Sequence, residues 1–327
     1  MAVYVTQELT NSLEEIIFSR HRSYECDELQ IISGYIGVDP VKKLSELPIR
    51  SKLVFGMYAE KGIQTALHNQ VLDIHSENVK IFYSNQQIHT KLYIWKNRGE
   101  ITSALIGSAN FSTNGLKTQY RELLMDVETD NFNSIAAYAN KVFQNTITCL
   151  EHEVIESVEQ DINFDPLVCS ISLLMRNGEV HTAGGLNWGQ NPNNHTTSND
   201  AYLPIRTSHI QQYPSLFRPK RGFSTDDGGR IQRQDDPIDI VFDDGTSMVC
   251  LFEGSQKVNN TIYPKQLSSY PDKASMGEYF RSRLGVPSGE PVRKHHLRSY
   301  GRTDVSMSLL SEGVYYLDFS VQRRQIF

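Results

Sequence analysis

The chain has 327 residues, a formal net charge of -6 and 39% hydrophobic residues, which is enough apolar material for two ordinary domains. No apolar run is long enough to span a bilayer, and the first residues lack the charged and apolar regions of a secretory leader. The 4 cysteines are dispersed and contain no Cys-x-x-Cys pair, which argues against a zinc site and a disulfide framework. We therefore expect a soluble cytoplasmic protein with reduced thiols, no metal and no cofactor.

Strand-like and helix-like segments alternate in the first half of the chain. Short runs rich in β-branched and aromatic residues predict strands at 3–5, 29–36, 52–57 and 79–83. Apolar residues at helical spacing predict helices at 9–19, 61–74 and 132–150, the last capped by Asp130 or Asn131. This alternation is typical of an α/β domain whose sheet is covered on both faces, with active residues at the strand ends.

The next segments carry the residues with the clearest chemistry. Residues 88–95 predict a strand, in which His89 and Lys91 share a face because successive side chains alternate. Residues 102–106 predict a second strand that ends at Gly107, so Ser108 and Asn110 emerge at its tip. An imidazole can attack phosphorus or protonate a leaving oxygen, whereas an ammonium and an amide can bind phosphoryl oxygens. The alternative is that His89 and Lys91 are ordinary surface residues on the solvent-exposed face of a strand.

The composition changes after an acidic stretch at 151–161, and we predict a domain boundary at residue 164. From there the pattern is mostly β, with strands predicted at 167–174, 237–242, 247–252 and 313–321. Asp243-Asp244-Gly245 between two of these runs predicts a hairpin, and one helix is predicted at 276–284. This order favours a small β-barrel with loops at its mouth.

Charge is divided unevenly between the two halves. Residues 1–164 hold 14 basic and 21 acidic side chains, a net of -7, whereas residues 165–327 hold 18 and 17, a net of +1. Basic residues of the second half cluster at 218–221 and 293–298, and two amide-rich loops lie at 184–195 and 254–261. Amide and guanidinium groups can read base edges in a DNA groove, although such loops are also common as plain turns.

The motif His89-x-Lys91, followed by Gly107-Ser108-Ala109-Asn110 and the continuation to Leu116, resembles the signature of the phospholipase D superfamily. The whole chain resembles restriction endonucleases of the NgoFVII type, a branch of that superfamily related to BfiI. The superfamily motif also carries an Asp shortly after the Lys, and residues 93–99 contain none. That difference weakens a lipid-hydrolysing interpretation more than a nuclease interpretation, because the restriction branch also lacks the Asp.

The resemblance implies roles for five residues. His89 is the nucleophile that forms a phosphohistidine, Lys91 and Asn110 hold the phosphoryl oxygens, Ser108 adds a hydrogen bond and Glu122 orients the imidazole. Glu122 is otherwise read as a surface residue of a strand predicted at 120–127. The chain encodes one His-x-Lys, and single-motif members complete their site by forming a twofold dimer, so we expect a homodimer. A partner subunit from a restriction system is compatible with the resemblance.

The second half resembles the B3-like DNA-recognition domain of these enzymes, a pseudobarrel flanked by two arms, and double-stranded DNA is the implied partner. The loops and arms supply the predicted DNA-contacting residues, which are Asn187, Trp188, Gln190, Asn194, Arg221, Lys257, Asn259, Asn260, Arg281 and Arg283. The predicted organisation is a phospholipase D-like α/β nuclease domain at 1–164 and a B3-like domain at 165–327. Two alternatives are a lipid-active phosphodiesterase and a catalytically inactive DNA-binding protein.

Overall fold

The computed structural model describes residues 2–5, 12–118, 121–152, 168–191, 196–224, 231–233 and 235–321. The chain divides into two compact units, one of residues 1–162 with 310–314, and one of residues 163–309 with 315–327. The boundary predicted at residue 164 lies outside the described residues. In the described part of the chain, no helix has the length and hydrophobicity needed to cross a membrane.

The first unit is an α/β domain. Among the described residues it contains strands β1 (Val3–Val5), β2 (Glu28–Ser33), β3 (Arg50–Phe55), β4 (Val79–Ser84), β5 (Leu92–Asn97), β6 (Glu100–Gly107), β7 (Leu123–Asp126) and β8 (Thr146–Thr148). Its α-helices are α1 (Leu13–Ser19), α2 (Val38–Lys43), α3 (Tyr58–Lys61), α4 (Thr65–Ile74), α5 (Thr113–Lys117) and α6 (Phe132–Phe143).

These eight described strands form one sheet in the order β1-β7-β6-β5-β2-β3-β4-β8. The central strands β2, β3 and β4 are parallel, and β5 runs antiparallel to β2. Ile31 belongs to the large apolar core on one face, whereas its neighbour Ile32 packs with Val142 of α6 on the other. The sheet is therefore covered on both faces, as the alternation of elements predicts.

The structure corrects three predicted boundaries. The strand predicted at 88–95 begins only at Leu92, so His89 and Lys91 lie in the extended segment that precedes β5. The helix predicted at 132–150 ends at Phe143, because the β-branched run 146–148 pairs with β4 instead. The helix predicted at 61–74 begins only at Thr65, because Gly62, at a φ of 63°, ends the preceding helix α3.

The second unit is mostly β. Its described strands are β9 (Cys169–Ser172), β10 (Leu203–Pro204), β11 (Gly222–Ser224), β12 (Ile231–Arg233), β13 (Asp236–Phe242), β14 (Ser247–Glu253), β15 (Gln256–Val258), β16 (Thr261–Tyr263), β17 (Gln266–Ser269), β18 (Asp304–Ser311) and β19 (Val314–Asp318). Helices α7 (Thr207–Gln212), α8 (Ala274–Leu284) and α9 (Lys294–Tyr300) join them, and the sequence pattern predicted only α8.

Seven of these described strands form a sheet in the order β10-β17-β14-β13-β19-β18-β9. The predicted hairpin is present between β13 and β14, and Gly245 adopts a φ of 82° in its turn. Phe217, Phe242, Phe280 and Phe319 are fully buried in the core of this unit. Two separate hairpins, β11 with β12 and β15 with β16, lie outside the sheet.

Arg281 of α8 is 1% exposed and organises the interior of the second unit. Its guanidinium donates to the backbone oxygens of five residues, at distances of 2.8 to 3.4 Å, which are Leu186, Ser198, Asn199, Gly277 and Glu290. A Cβ at position 277 would lie 1.7 Å from the Asn199 oxygen, so only glycine permits α8 to approach this closely. Burial lowers the pKa of Arg281, and the Glu278 carboxylate opposes that shift.

We predict that Arg281→Met lowers the free energy of unfolding by about 3 kcal/mol or more, because it leaves several buried carbonyl oxygens without donors. Urea unfolding followed by intrinsic fluorescence measures the loss. Arg221→Met is the matched control, since Arg221 is exposed and its removal is expected to leave the midpoint unchanged. Equal midpoints for Arg281→Met and Arg221→Met contradict the structural role.

Candidate functional site

His89 and Lys91 lie between β4 and β5, at the edge of the sheet where the parallel strand β2 ends. The His89 side chain is exposed, whereas Lys91 is only 6% exposed and its Nζ donates to the His89 backbone oxygen at 2.6 Å. Burial lowers the pKa of Lys91, and the carboxylates of Glu122 and Glu312 oppose that shift by favouring the ammonium. The site therefore contains the solvent-exposed imidazole of His89 beside the buried ammonium group of Lys91.

Asn110 enters the same space from the loop that follows β6. The backbone N–H of Tyr35 donates to its Oδ1 at 3.1 Å, which fixes the orientation of the amide. The loop is itself held by Tyr93, whose hydroxyl donates to the Ala109 oxygen at 2.8 Å. Tyr93 is fully buried, and burial raises its pKa above the ordinary value, so it remains a donor.

The structure brings His89, Lys91 and Asn110 together over Gly34, the residue that follows β2. A Cβ placed on Gly34 would lie 2.8 Å from His89 Cδ2, 3.3 Å from Asn110 Oδ1 and 3.3 Å from Lys91 Nζ. Three side chains from two separate segments of the sequence thus border one small volume. An imidazole, an ammonium and an amide around one volume form a set suited to attack at a phosphoryl group.

Ser108 follows β6, two residues before Asn110, and is tied to β7. Its backbone N–H donates to the Leu123 oxygen at 3.0 Å, and its Oγ accepts from the Leu123 N–H at 3.2 Å. The side chain remains exposed. Ser108 therefore fixes the tip of β6 against the neighbouring strand in addition to facing solvent.

Glu122 precedes β7 and forms an ion pair with Arg121 Nε at 3.1 Å. Within the residues that the structure describes, it makes no hydrogen bond to His89, whose ring instead packs edge-on against Tyr35 with centroids 5.9 Å apart. The Glu122 carboxylate does favour the protonated form of Lys91, which opposes the lowering of the Lys91 pKa by burial. Its role in orienting the imidazole stays a prediction.

Sequence reasoning missed the residues that shape the site from β2. Ser33 Oγ donates to the Tyr35 oxygen at 2.6 Å and accepts from the Phe111 N–H at 2.8 Å, which joins the end of β2 to the Asn110 loop. Tyr138 of α6 meets the Thr90 hydroxyl at 2.5 Å, between His89 and Lys91. The sequence signal for this position is Gly34 itself, an isolated glycine inside the strand predicted at 29–36.

Several side chains that were predicted to contact DNA form hydrogen bonds within the second unit instead. Asn187 is 2% exposed, with its amide bonded to the backbone of His181 and Val292. The Arg281 donors are engaged by the carbonyl oxygens that surround α8. These two side chains are unsuited to contact a base, because their donors and acceptors are already paired within the domain.

Three further predicted residues are partly engaged. Gln190 donates to the oxygens of Ser198 and Gly289, at 3.0 and 2.8 Å. Arg283 pairs with Asp243 at 2.8 Å and with Asp244 at 3.0 Å. Trp188 is half-buried, with Lys273 Nζ 5.0 Å from its ring centroid. Asn194 lies outside the described residues.

The remaining predicted residues form one exposed surface, which we call the basic hairpin surface. It consists of Arg221, Lys257, Asn259 and Asn260, all exposed. The backbone N–H of Lys220 donates to the Ile262 oxygen at 2.7 Å, which holds the 218–221 segment against the β15–β16 hairpin. Asn259 and Asn260 form the hairpin turn at φ angles of 47° and 65°.

In the described part of the chain, no group of three or more His, Cys, Asp or Glu side chains is arranged to hold a metal ion. The described cysteines are free thiols, and burial raises the pKa of Cys149 and Cys169 to about 11.

Two family models match the chain. The NgoFVII restriction endonuclease N-terminal PLD domain matches residues 11–156, and the NgoFVII C-terminal B3-like DNA-binding domain matches residues 162–311. No curated protein sequence matches this chain.

Among solved structures, NucT from Helicobacter pylori matches at 16% identity and a TM-score of 0.34, covering 45% of this chain and 97% of NucT. Nuc from Salmonella typhimurium, a phospholipase D family member, matches at 14% identity and a TM-score of 0.33, with the same two coverages.

The two family models meet between residues 156 and 162 and together span nearly the whole chain. The first covers His89, Lys91, Ser108, Asn110 and Glu122, and the second covers the basic hairpin surface. The α/β unit is thus a phospholipase D-like domain, and the mostly β unit is a B3-like DNA-binding domain. The chain belongs to the NgoFVII family of restriction endonucleases, and it is a site-specific nuclease.

Proposed function

We propose that the protein cleaves double-stranded DNA as a homodimer, without a metal ion, through a phosphohistidine intermediate. The observation that carries this proposal is the convergence of His89, Lys91 and Asn110 over Gly34 in a family of restriction endonucleases. We place the boundary between the catalytic and DNA-binding domains near residue 164. Catalysis then belongs to the acidic half of the chain and recognition to the other half.

The proposed first step is in-line displacement at the scissile phosphorus. A neutral ring nitrogen of His89 attacks, a nitrogen–phosphorus bond forms, and the bond from phosphorus to the leaving oxygen breaks. The partner subunit's His89 gives its proton to that oxygen. Lys91 and the Asn110 NH₂ group stabilise the charge on the non-bridging oxygens, which is the part that a metal ion plays in other nucleases.

The second step returns the enzyme to its starting state. The partner subunit's His89, now neutral, takes a proton from a water molecule, whose oxygen attacks phosphorus and releases His89. This scheme needs two imidazoles of opposite protonation, and the chain carries one His-x-Lys motif. A twofold dimer with one shared site supplies the second imidazole.

We further propose that the basic hairpin surface contacts DNA. Its Arg and Lys side chains match phosphate oxygens, and the turn amides of Asn259 and Asn260 carry the donors and acceptors that read base edges. A narrow two-stranded hairpin also has dimensions that a major groove admits.

We predict that cleavage of a duplex library persists in excess EDTA and that His89→Ala abolishes it without weakening DNA binding. Lys91→Ala and Asn110→Ala should each raise the barrier by about 3–4 kcal/mol, the usual scale for one preorganised donor. Lys52→Ala is the matched control, because Lys52 lies on the same sheet and is half-exposed, paired with Glu28. Reversible loss of cleavage on chelation contradicts metal independence.

The shared site makes a quantitative prediction for mixed subunits. When wild type and His89→Ala are refolded together in equal amounts, random pairing leaves about one quarter of the dimers with two imidazoles. Cleavage should therefore fall to about one quarter of the undiluted rate at constant total protein. A rate of about one half indicates that each subunit works alone and rejects the shared site.

For the recognition domain, we predict that Lys257→Ala and Arg221→Ala weaken binding to all duplexes alike and reduce the salt slope by about one each. Asn260→Gly keeps the left-handed turn but removes the amide, so it should reduce discrimination between sequences by about 1–3 kcal/mol. Fluorescence anisotropy at several salt concentrations measures both effects. Arg176→Ala, an exposed charge in a different loop, is the control, and equal weakening by it contradicts the assignment.

A further inference from the structure

Gly34 occupies a position that no family motif in the sequence marks, directly below the three groups of the proposed active site. The φ of Gly34 lies outside the left-handed region, so a left-handed backbone conformation is not the reason for a glycine here. The requirement for glycine is therefore one of space. That space is bordered by the His89 ring, the Lys91 ammonium and the Asn110 amide.

We propose that Gly34 is the floor of the seat for the phosphoryl group, a positioning residue whose missing side chain leaves room for a tetrahedral phosphate between the three groups. This assignment rests on the proposed function and specifies where its substrate lies. The adjacent peptide contributes a second element, because the Tyr35 N–H donates to the Asn110 Oδ1 and so fixes the orientation of the amide that borders the seat.

The contacts predict how a methyl group at position 34 acts. The atom nearest to that methyl is His89 Cδ2 at 2.8 Å, the far part of an exposed side chain that can rotate away. Lys91 Nζ and Asn110 Oδ1, both at 3.3 Å, must also shift by a few tenths of an ångström. The fold is retained, while the imidazole leaves its attacking position and the methyl fills part of the seat.

Gly56 provides a matched comparison on the neighbouring strand. It follows β3 at the same level as Gly34 follows β2, because Ser33 and Phe55 are register partners. A Cβ on Gly56 would lie 2.1 Å from the Ile88 backbone oxygen, which no side-chain rotation can relieve. Gly56→Ala should therefore lower the melting temperature, whereas Gly34→Ala should leave it near that of the wild type.

The first test measures single-turnover cleavage, DNA affinity and the melting temperature of wild type, Gly34→Ala and Gly56→Ala. We expect Gly34→Ala to keep its DNA affinity and lose about 100-fold or more in cleavage rate, the scale for a displacement of about 1 Å in a catalytic group. Cleavage by Gly34→Ala at the wild-type rate overturns the assignment. If the wild type itself does not cleave, the proposed function fails, and the second test decides the seat alone.

The second test uses inorganic phosphate as the probe and the ring signals of His89 in NMR spectra as the readout. Phosphate should shift these signals in the wild type, and at least a 10-fold higher concentration should be needed in Gly34→Ala. Equal titration curves overturn the assignment. If Gly34→Ala does not fold, the double variant His89→Ala with Gly34→Ala should fold, since it lacks the ring at 2.8 Å, and its failure to fold also overturns the assignment.

Discussion

The catalytic unit depends on the way in which the end of β2 is joined to the loop after β6. Ser33 Oγ bonds both the Tyr35 oxygen and the Phe111 N–H, and the Tyr35 N–H bonds the Asn110 amide. These hydrogen bonds link two segments that are far apart in the sequence. Because polar groups at this edge are satisfied by one another, these bonds hold the loop against β2 and orient Asn110.

Position in the sheet explains why this junction can serve as a site. β2 and β5 are antiparallel neighbours in the middle of the sheet, so the residues after β2 face the residues before β5. His89 and Lys91 need not belong to a strand to be held, since Lys91 is buried and bonded to the His89 backbone. The resulting site combines backbone segments that are joined by hydrogen bonds with one exposed imidazole. In the proposed mechanism, this exposure lets the imidazole reach a phosphodiester within a bulky polymer.

The second unit is a DNA-binding domain whose interior is organised by a buried arginine. Arg281 is buried in the interior, and its guanidinium donates to five backbone oxygens of the surrounding loops and helix. Arg283 closes the β13–β14 turn through Asp243 and Asp244. Both arginines look like DNA contacts in the sequence, since composition alone does not distinguish a cation that faces solvent from one that is buried. The β15–β16 hairpin differs, because the side chains of Lys257, Asn259 and Asn260 are exposed.

The sequence was sufficient to predict the two fold classes and the central strands, because hydrophobic periodicity is a local property, and its motif of reactive residue types led to the hypothesis about His89, Lys91 and Asn110. It also determined the hairpin at Asp243–Gly245, whose turn residues require that geometry. Only the tertiary structure decided that Gly34 lies beneath those three side chains, that residues 146–148 form a strand, and that Arg281 is buried. Each of these outcomes depends on which distant segment packs against the residue in question. The local sequence pattern does not show how much space surrounds a glycine in the folded protein.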